Sequence, residues 1–327
     1  MMKSVRQNSA GGPLQIETVP VPEPGPGEVL VKMAFSPINP SDLASISGDY
    51  MVQSWPFTPG FEGSGTVVKA GSGIIPSMRM GKRVACSPNP GEDGTWAEYM
   101  KTSAMHTVPL PGKVGMEQGS MMLVNPMTAM AFIKMARKGG HAAMVNNAAA
   151  SALGKMLIRL ANDRSIPLIN IVRREEQVEQ LKALGAKHLL NSTLDSFDQE
   201  LEELAHRLGA TLLLDAVNGD LSRRMLRAAP GGSTLVTYAR LSGESLVADP
   251  SDLIRLEKTI SGFQLGNWLK EKSIPFKLRF IGRVKKEMGG ALVTTIQGKF
   301  PPEEVNRAIE SYRENMSGGK FLLEYNH

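Results

Sequence analysis

The stretch from His141 to Arg174, HAAMVNNAAASALGKMLIRLANDRSIPLINIVRR, limits what the chain can fold into more than any other segment. An apolar run over 142–146 ends in a cluster of small residues, 147–152. Leu153, Met156, Leu157 and Leu160 then recur at helical spacing, and Pro167 opens a second apolar run, Leu168-Ile169-Asn170-Ile171-Val172. Strand, small-residue turn, helix and strand in that order predict one βαβ unit of a parallel sheet.

The turn is where a dinucleotide pyrophosphate binds such a unit, because a helix N-terminus presents free N–H groups and a partial positive charge. Of the G-x-G-x-x-G fingerprint, Ala149-Ala150-Ser151-Ala152-Leu153-Gly154 keeps only the last glycine, the one that lets helix and strand pack closely. Small side chains still admit a phosphate, and Ser151 adds a hydroxyl. An ordinary small-residue turn fits the same residues. Arg173 and Arg174 weigh against that plainer reading. They stand at the end of the second strand, where an NAD site carries an acid and an NADP site a cation for the 2′-phosphate. Glu175 and Glu176 open the next helix, so the pair lies at its positive end, where cations are disfavoured. Solvated surface arginines are the alternative; the pattern predicts NADPH, held by Ser151, Ala152, Leu153, Arg173 and Arg174.

A length of 327 residues suggests two domains, and 42% hydrophobic with 21% charged residues is an ordinary balance for a globular chain. No apolar run approaches a membrane span, and the opening MMKSVRQNSAGG reads as neither signal nor transit peptide, so no membrane partner and a cytoplasmic location are expected. The lone cysteine, Cys86, excludes an intramolecular disulfide and suits a reducing compartment. It also excludes a four-cysteine zinc site, and no metal site is expected. The net charge of +5 is too diffuse for a nucleic-acid partner. Basic residues concentrate at Arg173-Arg174 and over 270–286. In the second place Leu278, Ile281, Val284 and Met288 predict an apolar stripe on one helix, with the cations on a solvated face or docking an acidic acyl carrier.

Along the chain, residues 1–118 read as a β-rich, loop-rich module, with strands over 14–18, 28–34, 66–68, 83–86, 95–100 and 106–108. Helices over 117–125 and 126–137 follow, then the βαβ unit. Further helices over 175–184, 197–208 and 221–229 alternate with strands over 188–190, 211–216, 233–239 and 259–263. This predicts a doubly wound sheet from 119 to 263. The tail, 264–327, returns to helices and a last strand over 319–324. It is expected to pack back on the first module and make that domain discontinuous.

Asn39-Pro40-Ser41-Asp42, Pro59-Gly60-Phe61-Glu62-Gly63, Gly81-Lys82-Arg83-Val84, Gly94-Thr95-Trp96-Ala97-Glu98-Tyr99 and Gly231-Gly232-Ser233-Thr234 resemble, in order, the medium-chain dehydrogenase/reductase superfamily. The resemblance implies a GroES-like domain over 1–118 and 264–327 with a Rossmann domain over 119–263. The superfamily's zinc enzymes carry Gly-His-Glu where Gly60-Phe61-Glu62 stands, and a cysteine near Asn39, so the chain looks like the zinc-free branch. Asn125-Pro126-Met127-Thr128-Ala129, Asn147-Ala148, Ile169-Asn170-Ile171-Val172-Arg173, Leu235-Val236-Thr237-Tyr238 and Gly262-Phe263 through Trp268 are similar to the 2-enoyl thioester reductases of the mitochondrial type. Two departures stand out: Ala152 replaces a usual glycine, and Gln264 replaces a tryptophan beside the acyl pocket.

By that resemblance Tyr50 is the catalytic tyrosine, Thr128, Tyr238, Ala239 and Lys320 lie at the cofactor, and Asn39, Asp42 and Gln264 belong to the substrate cleft. Asn-Pro-Ser-Asp is also an ordinary turn and helix cap, and a solvated lysine is the alternative for Lys320. The expected activity is NADPH-dependent hydride transfer to the C=C of a 2-enoyl thioester or related unsaturated carbonyl, by a homodimer. NADPH:quinone oxidoreduction is the second reading, and a non-catalytic NADPH-binding protein the third.

Overall fold

The computed structural model describes residues 1–48 and 54–325 and opens with an antiparallel pair, β1 (Met2–Gln7) and β2 (Leu14–Val19). β3 (Glu28–Pro37) is the spine of a seven-stranded sheet, with Val29, Val31 and Met33 fully buried. Around it come α1 (Pro40–Ser47), β4 (Gly63–Ala70), α2 (Ile74–Arg79), β5 (Arg83–Cys86), β6 (Tyr99–Ser103), β7 (Thr107–Pro109) and α3 (Met116–Ser120). β3 pairs antiparallel with β4 and β6.

α4 (Asn125–Lys138) leads into β8 (Ala143–Asn146), α5 (Ala152–Asp163), β9 (Leu168–Val172), α6 (Glu175–Ala183), β10 (His188–Asn191), α7 (Phe197–Leu208), β11 (Ala210–Asp215), α8 (Asp220–Ala228), β12 (Thr234–Thr237), α9 (Pro250–Arg255), β13 (Thr259–Gly262) and α10 (Leu265–Lys270). The six strands form one parallel sheet in the order β10-β9-β8-β11-β12-β13, so the order reverses at β8, the strand that enters the small-residue turn. Every residue of β9 is buried, as a central parallel strand requires. Gly209 ends α7 in the left-handed conformation, φ 64°, and Gly185 takes φ 84° after α6, a backbone that glycine adopts without strain.

α11 (Ile274–Glu287), β14 (Ile296–Phe300), α12 (Val305–Glu314) and β15 (Lys320–Glu324) complete the chain. β15 pairs antiparallel with β3, and Val305, Ala308, Ile309 and Tyr312 of α12 join the core of the first sheet. From Arg283 onward the chain is therefore part of the first unit.

The chain divides into two compact units, Met1–Pro126 with Arg283–His327, and Met127–Gly282. These seams differ from those expected at 118/119 and 263/264. Gln118 exchanges side-chain hydrogen bonds with backbone Thr294 (2.8 and 3.1 Å), and the Ser64 hydroxyl donates to Met116 O (2.7 Å), which keeps α3 with the first unit. Trp268 packs among Phe263, Phe276 and Phe280, which keeps 264–280 with the second.

Three local expectations are corrected. The strand over 95–100 begins only at Tyr99, because Thr95 and Trp96 make turn hydrogen bonds to Gly60 O and Pro59 O. β12 stops at Thr237, so Tyr238 and Ala239 lie just past its carboxyl end. The buried stripe is Phe280 and Val284 of α11 with Met288 just after it, at i, i+4, i+8, whereas Leu278 is 64% exposed.

Candidate functional site

In the second unit the site is built at the carboxyl end of β8. Ser151 is the N-cap of α5, and its Oγ accepts a hydrogen bond from Gly154 N at 3.1 Å. Its own O–H is left to donate. Ala152 and Leu153 form the first turn behind it. Gly154 must be glycine, since a Cβ there would meet Ala149 O at 2.3 Å. Ala148 takes φ 50°, in the left-handed region that L side chains seldom adopt.

Asn147 and Asp215 hold this turn. Asn147 Nδ2 donates to Asp215 Oδ1 at 2.6 Å, and Asn147 Oδ1 accepts from Ala216 N at 2.8 Å. Asp215 also accepts from Val217 N and Asn218 N, both at 2.9 Å, and from the Ser222 hydroxyl. Asn218 extends the network by donating to Ala239 O at 3.0 Å and accepting from the Thr237 hydroxyl at 2.9 Å. One buried carboxylate thus ties the ends of β8, β11 and β12 together. Sequence reasoning missed Asp215 and Asn218, although an acid closing an apolar strand (Leu212-Leu213-Leu214-Asp215) was a usable signal. Asn146, at the end of β8, is fully buried, and neither atom of its side-chain amide has a partner among the described residues.

Arg173 and Arg174 follow β9 directly and are exposed. Arg174 is the N-cap of α6 and pairs with Glu176 at 3.4 Å, while Arg173 N donates to Gln177 Oε1 at 3.3 Å. Thr128 is buried in the first turn of α4. One turn on, Phe132 packs against Tyr238 (centroids 5.0 Å) and Phe263 (4.8 Å), so α4 and the strand ends are joined by rings. Burial, then the charge of Asp215, pushes the Tyr238 phenol above its ordinary range, so it stays a neutral donor. Gln264 is exposed and caps α10, its Oε1 accepting from Asn267 N at 2.6 Å. Tyr50 lies outside the described residues.

In the first unit, Asn39, Asp42, Glu62 and Lys320 are all buried, and the solvated alternative for Lys320 is excluded. The Lys320 ammonium donates to Ile38 O at 3.1 Å and to Asn39 Oδ1, and lies 5.3 Å from the centroid of the Tyr312 ring. Asn39 Nδ2 donates to Glu62 Oε1 at 3.2 Å. Glu62 Oε2 accepts from Leu123 N and Val124 N (2.9 and 3.0 Å), immediately before α4. Asp42 is both helix cap and tether. It accepts from Asn39 N at 2.8 Å and from Phe61 N at 3.0 Å. Burial raises the Asp42 carboxyl to about 7 against those N–H donors, and raises Glu62 likewise. Burial lowers Lys320 to about 8 against the pull of Glu62 and Asp42. Cys86 is buried, and burial pushes its thiol up, which leaves it a poor nucleophile or metal ligand. Among the described residues no three His, Cys, Asp or Glu side chains are grouped to hold a metal, and no helix is long and apolar enough to cross a membrane.

A β-domain with a lysine-centred ion cluster and a doubly wound sheet with a serine-capped turn define a two-domain dehydrogenase-type chain. Residues 25–112 match the alcohol dehydrogenase GroES-like domain family, and 152–281 the zinc-binding dehydrogenase family. The chain belongs to the medium-chain dehydrogenase/reductase superfamily. Among curated relatives, a mitochondrial enoyl-[acyl-carrier-protein] reductase of Caenorhabditis elegans is 31% identical, covering 81% of this chain and 76% of its own. One of Xenopus tropicalis is 29% identical over 96% of this chain and 92% of its own. A candidate NADPH:quinone reductase of known structure from Mesorhizobium loti is 31% identical with a TM-score of 0.91, covering 99% of this chain and 98% of its own.

Proposed function

We propose that the chain is a zinc-independent, NADPH-dependent reductase of the activated C=C bond in a 2-enoyl thioester or related α,β-unsaturated carbonyl. The observation that carries the cofactor assignment is the pair Arg173 and Arg174, exposed at the end of β9 one strand from the Ser151-capped turn. Guanidinium groups bind a 2′-phosphate through charge-assisted, bidentate hydrogen bonds. The N-terminus of α5 and the Ser151 O–H suit the remaining polar groups of a dinucleotide. When bound, that cofactor supplies the hydride. Reduction adds hydride at the β-carbon and a proton at the α-carbon, with negative charge passing through the carbonyl oxygen. Tyr50 is the proposed donor to that oxygen; Tyr50→Phe should lower enoyl turnover by about 10²–10³-fold while leaving cofactor affinity unchanged, and unaltered turnover removes it from the mechanism. Tyr238 and Ala239, just past β12, and Thr128 in α4 are proposed for the nicotinamide end, and Gln264 for the acyl end.

Zinc does not fit the residues present. Asn39 and Phe61 are poor ligands, and the Lys320 ammonium already bonds the Asn39 carbonyl, so the buried positive charge comes from the chain itself. On this reading Asn39, Asp42 and Lys320 are positioning residues. Loss of turnover on exhaustive dialysis against a chelator, restored by zinc alone, would sink this part of the reading.

The similarity to a candidate quinone reductase supports the second reading, NADPH:quinone oxidoreduction. NADPH oxidation with crotonyl-CoA against 1,4-benzoquinone separates the two, and binding without oxidation of either favours a non-catalytic role. Docking of an acidic acyl carrier is supported by α11, where the cations Arg279, Arg283 and Lys286 are exposed beside Ile274 and Leu278, 63% and 64% exposed. A homodimer is supported by β13, which ends its sheet with three of four residues exposed, an edge that a second copy can extend. Sedimentation at micromolar concentration tests this; a monomer removes the proposal. A buried free thiol at Cys86 suits the proposed cytoplasm.

A further inference from the structure

Between β12 and α9 the chain runs over 238–249 without helix or strand, beginning with Tyr238 and Ala239. Its first part is laid along the residues that close β11. Tyr238 N donates to Asp215 O at 3.0 Å, Leu241 N to Ala216 O at 2.9 Å and Ser242 N to Val217 O at 3.2 Å. Those ties are main-chain and do not depend on which side chains stand there. Ala239 is held differently: its carbonyl accepts from the side chain of Asn218, Nδ2 to O at 3.0 Å.

Asn218 is 7% exposed and has φ 66°. A left-handed backbone by itself is served at least as well by glycine, which has no Cβ to clash there. What asparagine adds is the amide, and both ends of it are engaged. A main-chain carbonyl can only accept, so Nδ2 must face Ala239 O; that turns Oδ1 toward Thr237, whose hydroxyl donates to it at 2.9 Å. Asn218 N is itself held by Asp215 Oδ1 at 2.9 Å, and the same oxygen accepts from Asn147 Nδ2 in the small-residue turn. A line of hydrogen bonds therefore runs from the turn after β8, through Asp215 and Asn218, to the carbonyl of Ala239. The neighbouring ring of Tyr238 packs on Phe132 of α4, the helix that carries Thr128.

We propose, on the NADPH-reductase reading of this cleft, that Asn218 is a positioning residue for the nicotinamide end of the cofactor. It touches neither the hydride nor the substrate and acts through Ala239. Its amide fixes the main chain at 238–239 relative to the turn that receives the pyrophosphate, and so fixes where the nicotinamide ring rests. Hydride transfer is steeply sensitive to such placement. The adenosine end, met by Arg173 and Arg174, does not depend on it.

Asn218→Gly in the full chain is the test, since glycine keeps the φ 66° backbone and removes both amide bonds. 2′,5′-ADP, which carries the 2′-phosphate but no nicotinamide, should bind the variant as tightly as wild type. Single-turnover hydride transfer from bound NADPH, with whichever of crotonyl-CoA and 1,4-benzoquinone the wild type reduces, should slow by about two- to tenfold, as expected for one positioning hydrogen bond. Thr237→Val reads the same tie independently, because it removes the hydroxyl that orients the amide and keeps the side-chain shape. It should slow the same step, and add nothing to Asn218→Gly in the double variant. Equal hydride-transfer rates in an active wild type and both single variants, or a matching fall in 2′,5′-ADP affinity, overturn the proposal. A wild type that neither binds 2′,5′-ADP nor oxidises NADPH overturns the cofactor reading and this assignment with it.

Discussion

The buried ammonium of Lys320 donates a hydrogen bond to the side-chain carbonyl of Asn39, joining the last strand of the first unit to the cap of α1 across almost the whole length of the chain. Neither residue is more than 2% exposed. Asn39 in turn donates to Glu62, which receives the two N–H groups ahead of α4. One cation, two carboxylates and an amide thus fix both the β-domain core and the exit of the chain toward Thr128.

Removing that cation leaves two buried carboxylates without it. Lys320→Met keeps most of the volume, and is expected to cost about 3–5 kcal/mol of unfolding free energy, the usual penalty for breaking a buried charge cluster. Urea unfolding at pH 7 measures it, and a loss under about 1 kcal/mol would mean the cluster is not held by its charge.

The same cluster sets a pH dependence. Asp42 titrates near 7 in the folded chain, above its ordinary value. A carboxyl raised in this way favours folding below its unfolded pKa, and that contribution is lost as pH rises from about 4 through about 7. Lys320, lowered to about 8, acts in the opposite sense and only above that pH, and Glu62, raised in the same sense as Asp42, is present in both wild type and Asp42→Asn, so the difference between the two reports Asp42. Relative to Asp42→Asn, wild type should lose on the order of 2–4 kcal/mol between pH 4 and 7. A gap that moves in favour of wild type over this window contradicts the assignment.

At the turn, Gly154→Ala would push a Cβ to 2.3 Å from Ala149 O, and backbone must shift to relieve it. Overpacking of this kind costs about 1–3 kcal/mol, or roughly ten- to hundredfold in NADPH affinity if the displaced turn is the cofactor site. Fluorescence titration of NADPH reads the effect. Unchanged affinity in a folded variant would take the turn out of the site.

Cofactor choice tests the arginine pair. Wild type should bind NADPH more tightly than NADH, and Arg173→Ala/Arg174→Ala should lose that preference, at about 1.5–3 kcal/mol per charged hydrogen bond. Dissociation constants for both cofactors decide it, and equal wild-type affinities exclude the 2′-phosphate assignment.

The alternation of the second unit was legible because parallel strands buried on both faces are continuous apolar runs, as over 168–172, and helices are amphipathic, as over 197–208. β14 was not, since Ile296-Gln297-Gly298-Lys299-Phe300 has no clean period and owes its strand to pairing with β15. Leu278 misled because a helical stripe can be drawn through it or through Phe280, and packing chose the ring. Of the site, local chemistry was readable: the serine cap, the arginines, the Asn-Pro-Ser-Asp cap. The partners of Asn147 and Lys320 were not, because each is met only through contacts distant in sequence, at Asp215 and Asn39.

Hydride delivery from NADPH to the β-carbon of an enoyl thioester is tested most directly by isotope transfer. Stereospecifically 4-deuterated NADPH, in its two forms, should be incubated with crotonyl-CoA and the product examined by NMR. One of the two forms should place a single deuterium at C3 of butyryl-CoA and none at C2, with the C2 hydrogen drawn from solvent. Cofactor oxidation with no deuterium at C3, or oxidation only when a quinone is supplied, would contradict the account.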